Sequence, residues 1–216
     1  ALPFLVNAGI QNGGQTCSAS SRILVHRSRY NEVIDHMSQK YKDLIVQPAI
    51  NDGALGPLIS ERQKSIVEDF ISKGQKLNLV AQGEIDSSAP TKGHYVAPHL
   101  FADVPEDHIL AKDEIFGPVH VIMPFDTEEE AISIANGTDY GLVASIWTND
   151  GARQMRLAKK LKSGQVFINN YGAGGGVELP FGGRGFSGHG REKGFEALYG
   201  LSLIHISEPT RQPNSS

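Results

Sequence analysis

Three things are scarce in this sequence: cysteine, long apolar runs and clustered charge of one sign. The 216 residues include one cysteine, Cys17, so an intramolecular disulfide is excluded and a reducing, cytoplasmic location is favoured. No apolar stretch approaches the ~20 residues that a membrane-spanning helix needs. The formal net charge is −4 and no block of like charge stands out, so we expect neither nucleic acid nor a membrane as a partner.

Metal-binding patterns and an initiator methionine are also missing. The sequence contains neither C-x-x-C nor H-E-x-x-H, so we predict no metal site. It begins at Ala1, inside an apolar segment. We therefore expect a piece of a longer protein.

What is present is an alternation of strand and helix patterns. Short β-branched or apolar runs predict strands over residues 22–26, 77–81, 119–124, 144–148 and 165–169, with an extended segment over 95–104. Apolar residues at helical spacing predict helices over residues 30–46, 60–73, 127–135, 152–161 and 192–199, and residues 1–8 are expected to end a buried helix broken by Gly9. This alternation predicts an α/β fold, with a mostly parallel sheet and helices on both faces.

Two finer predictions concern a helix start and the end of the chain. Ser60 and Gln63 form a capping-box pattern, in which each side chain bonds the other residue's backbone amide. Residues 201–216 are polar and carry two prolines. This composition predicts a disordered tail or one foreign to the native protein.

The stretch around Cys17 is the first candidate for chemistry. Two glycines precede the thiol and small residues follow it, so a substrate could approach closely. The alternative is a buried cysteine that acts as a small apolar filler. A thiol hydrolase would need a histidine partner, but none of the eight histidines stands in a recognisable partner motif.

Two phosphate-loop patterns are weak. Residues 183–188 match G-x-G-x-x-G, but Pro180, Phe181 and Gly182 precede them where a dinucleotide-binding turn requires a strand. Residues 9–16 resemble a Walker loop, but Gln15 replaces the lysine that would reach the phosphates.

Three separated segments together are more specific. They are N-G-G-Q-T-C-S-A at residues 12–19, D-E-I-F-G-P-V at 113–119 and L-P-F-G-G-R-G-F-S-G-H-G-R-E at 179–192. In this order they resemble the aldehyde dehydrogenase superfamily. The resemblance covers residues 1–200 and implies a catalytic domain there, without the Rossmann part that precedes it in the family.

The resemblance implies a role for Cys17. In the family, the matching cysteine attacks the aldehyde carbon, hydride passes to NAD or NADP, and water hydrolyses the resulting thioester to the carboxylic acid. A thiolate is a strong nucleophile, which suits this step. The backbone amide of Cys17 and an asparagine from an earlier segment would stabilise the oxyanion.

Four further residues gain roles from the same resemblance. Glu114 matches a glutamate that binds the nicotinamide ribose, and Phe116 matches an aromatic residue beside the nicotinamide. Gln63 aligns with a residue that touches the cofactor ribose, and Phe181 with an aromatic residue at the aldehyde entrance. The alternatives are a solvated surface acid for Glu114, core packing for both phenylalanines and the capping role for Gln63.

The resemblance also sets limits. Gly185 stands where many family members have lysine, and the family's general-base glutamate and oxyanion asparagine precede the cysteine segment. We therefore expect this chain alone to be inactive, and a homo-oligomer for the full-length protein, with a small-molecule aldehyde as its partner. A noncatalytic homologue with a binding or structural role, or a thiol-dependent esterase, remains open.

Overall fold

The computed structural model describes residues 1–172 and 176–201, with no side chain described for the last of these. The helices are α1 (Leu2–Ile10), α2 (Tyr30–Lys42), α3 (Glu61–Lys73), α4 (Ile109–Lys112), α5 (Glu128–Asn136), α6 (Gly151–Lys160) and α7 (Gly194–Leu201). The strands are β1 (Arg22–His26), β2 (Ile45–Val46), β3 (Asn78–Gln82), β4 (Glu84–Ile85), β5 (His99–Ala102), β6 (Val119–Phe125), β7 (Val143–Ile146) and β8 (Gln165–Ile168). The predicted tail lies, from residue 202 onwards, outside the described residues.

The main sheet has four strands in the order β1-β6-β5-β3. β1 and β5 both run parallel to the central β6, and β3 is the antiparallel edge. Two smaller pairs, β2 with β4 and β7 with β8, are also parallel. The mostly parallel α/β architecture predicted from the sequence is therefore confirmed.

Helices cover both faces of the main sheet because β6 is apolar on both of its sides. Ile122 belongs to a core cluster that includes residues of α1 and α2. Val119, Val121 and Met123 belong to a second cluster that includes residues of α3, α4 and α5. The side chains alternate along the strand, so β6 separates two hydrophobic cores. Among the described helices, none is both long and apolar enough to cross a bilayer.

Two predicted helix ends are wrong. α2 ends at Lys42 rather than residue 46, because Ile45 and Val46 leave the helix and pair with β4. Gly9 does not break α1, which continues to Ile10. At Gly9 a Cβ atom would stand 2.7 Å from Nε2 of His120, so this glycine leaves room for a neighbouring ring rather than ending a helix.

The predicted capping box at α3 forms only in part. The Ser60 hydroxyl accepts a hydrogen bond from the backbone N–H of Gln63 at 3.2 Å. The Gln63 side chain does not return to Ser60. It donates instead to the carbonyl oxygens of Ile115 at 3.1 Å and Phe116 at 3.0 Å, because the segment after α4 passes beside the start of α3.

Candidate active site

The Cys17 loop begins with a tightly wound turn after α1. Asn12, Gly13 and Gly14 all adopt positive φ angles of 53°, 64° and 75°. The side-chain amide of Asn12 donates to the carbonyl of Gln15, and that of Gln15 donates to the carbonyl of Asn12, both at 3.1 Å. This reciprocal pair holds a backbone conformation that only glycine and asparagine adopt readily.

The same turn packs against residues 113–119, here called the Glu114 segment. A Cβ atom at Gly14 would overlap the carbonyl oxygen of Gly117, so the two backbones are in contact there. Gln15 attaches the turn to a different segment, the one before α3, since its side-chain oxygen accepts a hydrogen bond from the N–H of Ile59 at 3.0 Å. Glycine at position 14 therefore allows the cysteine loop to reach a segment that lies about a hundred residues later in the chain.

One narrow cleft contains three of the five predicted site residues, Cys17, Glu114 and Phe116. Its other lining residues are Gly14, Thr16, Ala19, Ser21, Ile115, Gly117, Val119 and His120. Cys17 is exposed in this chain, so it does not act as a core filler among the described residues. Within the described part of the chain, no group accepts a hydrogen bond from the backbone N–H of Cys17, which leaves this amide free to donate to a bound oxygen atom.

Glu114 presents its carboxylate at the cleft without an ion pair to any described residue. The side chain stays exposed, yet the cleft walls partly desolvate it and raise the pKa of its carboxyl. Such a carboxylate can accept hydrogen bonds from two neighbouring hydroxyl groups.

Phe116 is held in an unusual conformation. Its φ angle is +55°, which costs a non-glycine residue about 1–2 kcal/mol, and its side chain is 37% exposed. The two hydrogen bonds from Gln63 to the carbonyls of residues 115 and 116 fix this turn. Strained backbone of this kind is concentrated at functional sites.

Gln63 therefore reaches the site indirectly, through the backbone of the Glu114 segment. It is not among the residues that line the cleft. Its predicted contact with a cofactor ribose remains a prediction.

Phe181 lies outside the cleft in the described structure. It forms an isolated antiparallel bridge with Glu192, with both backbone hydrogen bonds at 2.7 Å. The ammonium of Lys193 stands 5.4 Å from the centre of its ring. Its predicted role at an aldehyde entrance is untested by this arrangement.

The sequence analysis missed a fully buried polar residue of the cleft wall, His120. It is 1% exposed and bonds to the Tyr41 hydroxyl at 2.6 Å and to the Gly9 carbonyl at 2.9 Å. The one available signal was a histidine inside the otherwise apolar run of β6. Its partners lie 79 and 111 residues away in sequence, so no local spacing identified them.

A larger cavity, of about 590 Å³, lies at the opposite end of β6. Residues such as Arg27, Asp103, Pro124 and Glu130 line it, and none of the predicted site residues does. Across residues 1–172 and 176–201, no three histidine, cysteine or acidic side chains are grouped so that they could hold a metal ion.

Comparison with known proteins identifies the family of this chain. The profile of the aldehyde dehydrogenase family matches residues 1–204. The Bacillus subtilis protein DhaS, assigned to the aldehyde dehydrogenases, is 38% identical over 92% of this chain and 40% of its own length. The chain thus spans less than half of the curated relatives that it matches.

Solved structures give the same picture. A Burkholderia cenocepacia protein, assigned to the aldehyde dehydrogenases, is 57% identical with a TM-score of 0.90 and covers 92% of this chain and 42% of its own. The NAD⁺ complex of an aldehyde dehydrogenase from Bacillus cereus is 38% identical with a TM-score of 0.85, over 91% of this chain and 40% of its own.

Proposed function

This chain belongs to the aldehyde dehydrogenase family, and we propose that residues 1–200 supply the nucleophile-bearing catalytic domain of a longer NAD- or NADP-dependent enzyme. That enzyme oxidises a small-molecule aldehyde to a carboxylic acid. The observation that carries the proposal is the shared cleft, which is lined by both the only thiol of the chain and Glu114. Two of the three segments that carry the family resemblance, residues 12–19 and 113–119, line this cleft, and this supports the proposal.

Cys17 is the proposed nucleophile. Its thiolate adds to the aldehyde carbon and forms a carbon–sulfur bond, and the carbonyl oxygen becomes an oxyanion. The backbone N–H of Cys17, which has no described partner in the chain, donates to that oxygen. Loss of hydride from the carbon leaves a thioester, and water cleaves the thioester to the acid and regenerates the thiol.

The cleft encloses only about 20 Å³ in this chain, and what supports a nicotinamide cofactor is the chemistry of two of its lining side chains. When bound, NAD or NADP accepts the hydride. Glu114 offers an exposed carboxylate for two ribose hydroxyls, and Phe116 offers a partly exposed ring held in place by its strained backbone. The Bacillus cereus relative, described as an NAD⁺ complex, supports this cofactor class.

The longer protein is part of the proposal because the matched relatives are more than twice the length of this chain. The deacylating base and the oxyanion asparagine of the family have no match among these residues. We therefore propose that the remaining sequence supplies them, and that the full-length enzyme is a homo-oligomer.

The test is to assay NAD and NADP reduction with a panel of aldehydes, by the 216-residue chain and by the longer enzyme that contains it. We expect turnover only from the longer enzyme, and at least a roughly 1,000-fold loss of kcat for Cys17→Ser. Ser18→Ala, which removes a neighbouring hydroxyl, is the matched control and keeps its activity.

Robust turnover by Cys17→Ser would refute the proposed nucleophile. Hydrolysis of an activated ester that depends on Cys17 but not on a nicotinamide would identify a thiol esterase instead. Absence of both activities in the longer enzyme would favour a noncatalytic role.

A further inference from the structure

His120, which lines the cleft of Cys17, is paired with a buried tyrosine, Tyr41. Tyr41 on α2 and His120 on β6 are 0% and 1% exposed, and the Tyr41 hydroxyl lies 2.6 Å from Nδ1 of His120. The other ring nitrogen, Nε2, lies 2.9 Å from the carbonyl oxygen of Gly9. A carbonyl only accepts, so Nε2 carries the proton and Nδ1 accepts from the tyrosine hydroxyl.

The Gly9 carbonyl is placed where it can control the cysteine loop. It belongs to the last turn of α1, where carbonyl groups lack partners within the helix, and the chain enters the loop two residues later, at Gln11. The carbonyl of the preceding residue, Ala8, accepts a hydrogen bond from the N–H of Ser20 at 3.0 Å. Two successive carbonyls thus bind the exit of the loop and the central strand of the sheet.

His120 also connects to the other side of the cleft. Its strand, β6, begins five residues after Glu114. Both Glu114 and His120 line the cleft of Cys17. The hydrogen bond to Gly9 therefore ties the helix that leads to the thiol directly to the strand that follows the carboxylate.

We propose that Tyr41 and His120 are positioning residues for Cys17: by holding the Gly9 carbonyl, they fix the cysteine loop relative to the Glu114 segment. The inference rests on the proposed role of Cys17 for its catalytic meaning, while the ordering of the loop is measurable without it. Neither residue touches the reacting atoms.

The pair remains uncharged near neutral pH. Burial lowers the pKa of His120 to about 4 and raises that of Tyr41. The hydrogen-bond chain from Tyr41 through His120 to Gly9 therefore keeps one direction. A fully partnered buried network of this kind selects a single local conformation.

Hydrogen exchange in the 216-residue chain tests the proposal. Tyr41→Phe and His120→Met each break the chain of bonds, and we expect the Ser20 amide to exchange about tenfold faster in both, relative to amides of α3. His120→Gln keeps an N–H that can reach Gly9 and should stay within about threefold of the parent.

Tyr30→Phe is the matched control. Tyr30 lies on the same helix, is also buried, and its hydroxyl donates to the Ile122 carbonyl of the same strand at 3.2 Å. It does not bond α1, so its loss should leave the relative exchange of Ser20 unchanged.

A chemical measurement uses the single thiol. The reactivity of Cys17 towards a bulky aromatic disulfide, divided by its reactivity towards iodoacetamide, should rise at least about threefold in Tyr41→Phe and His120→Met. A fixed cleft slows the bulky disulfide more than it slows the small iodoacetamide. If the loop is loosened, this difference between the two reagents becomes smaller. The ratio should stay at the parent value in Tyr30→Phe and return close to it in His120→Gln.

Two results would overturn the proposal: an equal rise in the exchange rate of all amides, or faster exchange of the Ser20 amide in Tyr30→Phe as well. Either result would mean that Tyr41 and His120 contribute only to general core packing. If His120→Met does not fold, Tyr41→Phe decides, because it retains the aromatic ring. The two proposals can fail separately. If the Ser20 amide alone exchanges faster, but the Cys17→Ser variant of the longer enzyme is still active, the proposed function is refuted and the ordering of the loop is supported.

Discussion

Two regions of the chain differ sharply in burial. In the sheet region, residues 1–136, fully buried side chains fill two cores, for example Ile122 in the first and Val121 in the second. In the glycine-rich region, residues 137–172 and 176–201, Ile146 is the one hydrophobic residue that the described structure buries. There, Phe195 is 84% exposed.

The difference in burial distinguishes two kinds of predicted site residue. Some are held in position by the core of this chain, and others are not. Cys17, Glu114 and Phe116 stand on segments anchored to the sheet region. Phe181 stands in the glycine-rich region, outside the cleft. We therefore expect the stability of the chain to reside in the sheet region, so that matched substitutions in the two regions should differ in their cost.

The largest difference is expected for glycines with positive φ angles. Gly14→Ala would place a Cβ atom against the carbonyl of Gly117, so we expect it to lower the free energy of unfolding by about 4 kcal/mol. Gly188→Ala meets nothing within 4 Å and should cost only the strain of its φ angle, about 1 kcal/mol. Urea unfolding followed by circular dichroism measures both; equal costs would contradict the contrast.

Apolar truncations should differ almost as much. Leu100 is 0% exposed and Leu179 is 50% exposed. Leu100→Ala should cost about 3 kcal/mol through lost burial and a new cavity, while Leu179→Ala should cost less than about 0.5 kcal/mol. A large shift in the unfolding midpoint for Leu179→Ala would show that the glycine-rich region has a core of its own.

Acid should weaken the sheet region through His120. Its pKa is about 4 in the folded chain and about 6.5 when unfolded, so the unfolded state binds the extra proton between these values. Stability should therefore fall by up to roughly 3 kcal/mol as the pH drops from about 6.5 to 4, with no further loss from this group below that. The loss should shrink in His120→Gln and persist in His189→Gln, which alters an exposed histidine; unchanged pH profiles for both would refute the assignment.

The smallest effects concern helix caps. The Thr127 hydroxyl accepts from the N–H of Glu130 at the start of α5, and the Asp150 carboxylate accepts from the N–H of Arg153 at the start of α6. Thr127→Ala should lower global stability by about 1 kcal/mol. Asp150→Ala should instead fray α6 locally, because none of its residues is buried; amide exchange distinguishes local from global opening.

The sequence predicted the elements of the sheet region well because their patterns are local. The run V-H-V-I-M is apolar except for His120, so its pattern predicts a buried strand at β6 without knowledge of its neighbours. The family resemblance gave Cys17 and Glu114 their expected roles, but no local pattern predicted that they line one cleft, since their segments are about a hundred residues apart. The two-residue strand β2 was missed because a helical pattern runs directly into it.

The side-chain partners were the least predictable part. Gln63 carries a correct helix-start signal, yet its amide bonds a segment about fifty residues away. The bond between Tyr41 and His120 joins a helix face to a strand, and each residue alone suits an ordinary core. Only the folded backbone selects between such alternatives, because many distant acceptors compete for each donor.

The His120 ring occupies the space that a side chain at position 9 would need, so the sizes of residues 9 and 120 depend on each other. A methyl group at position 9 and an imidazole at position 120 cannot occupy the same space, so a change at either position alters which residues the other tolerates. Within the family, a larger residue at the first position should therefore accompany a smaller one at the second. The two positions should vary together although 111 residues of chain separate them.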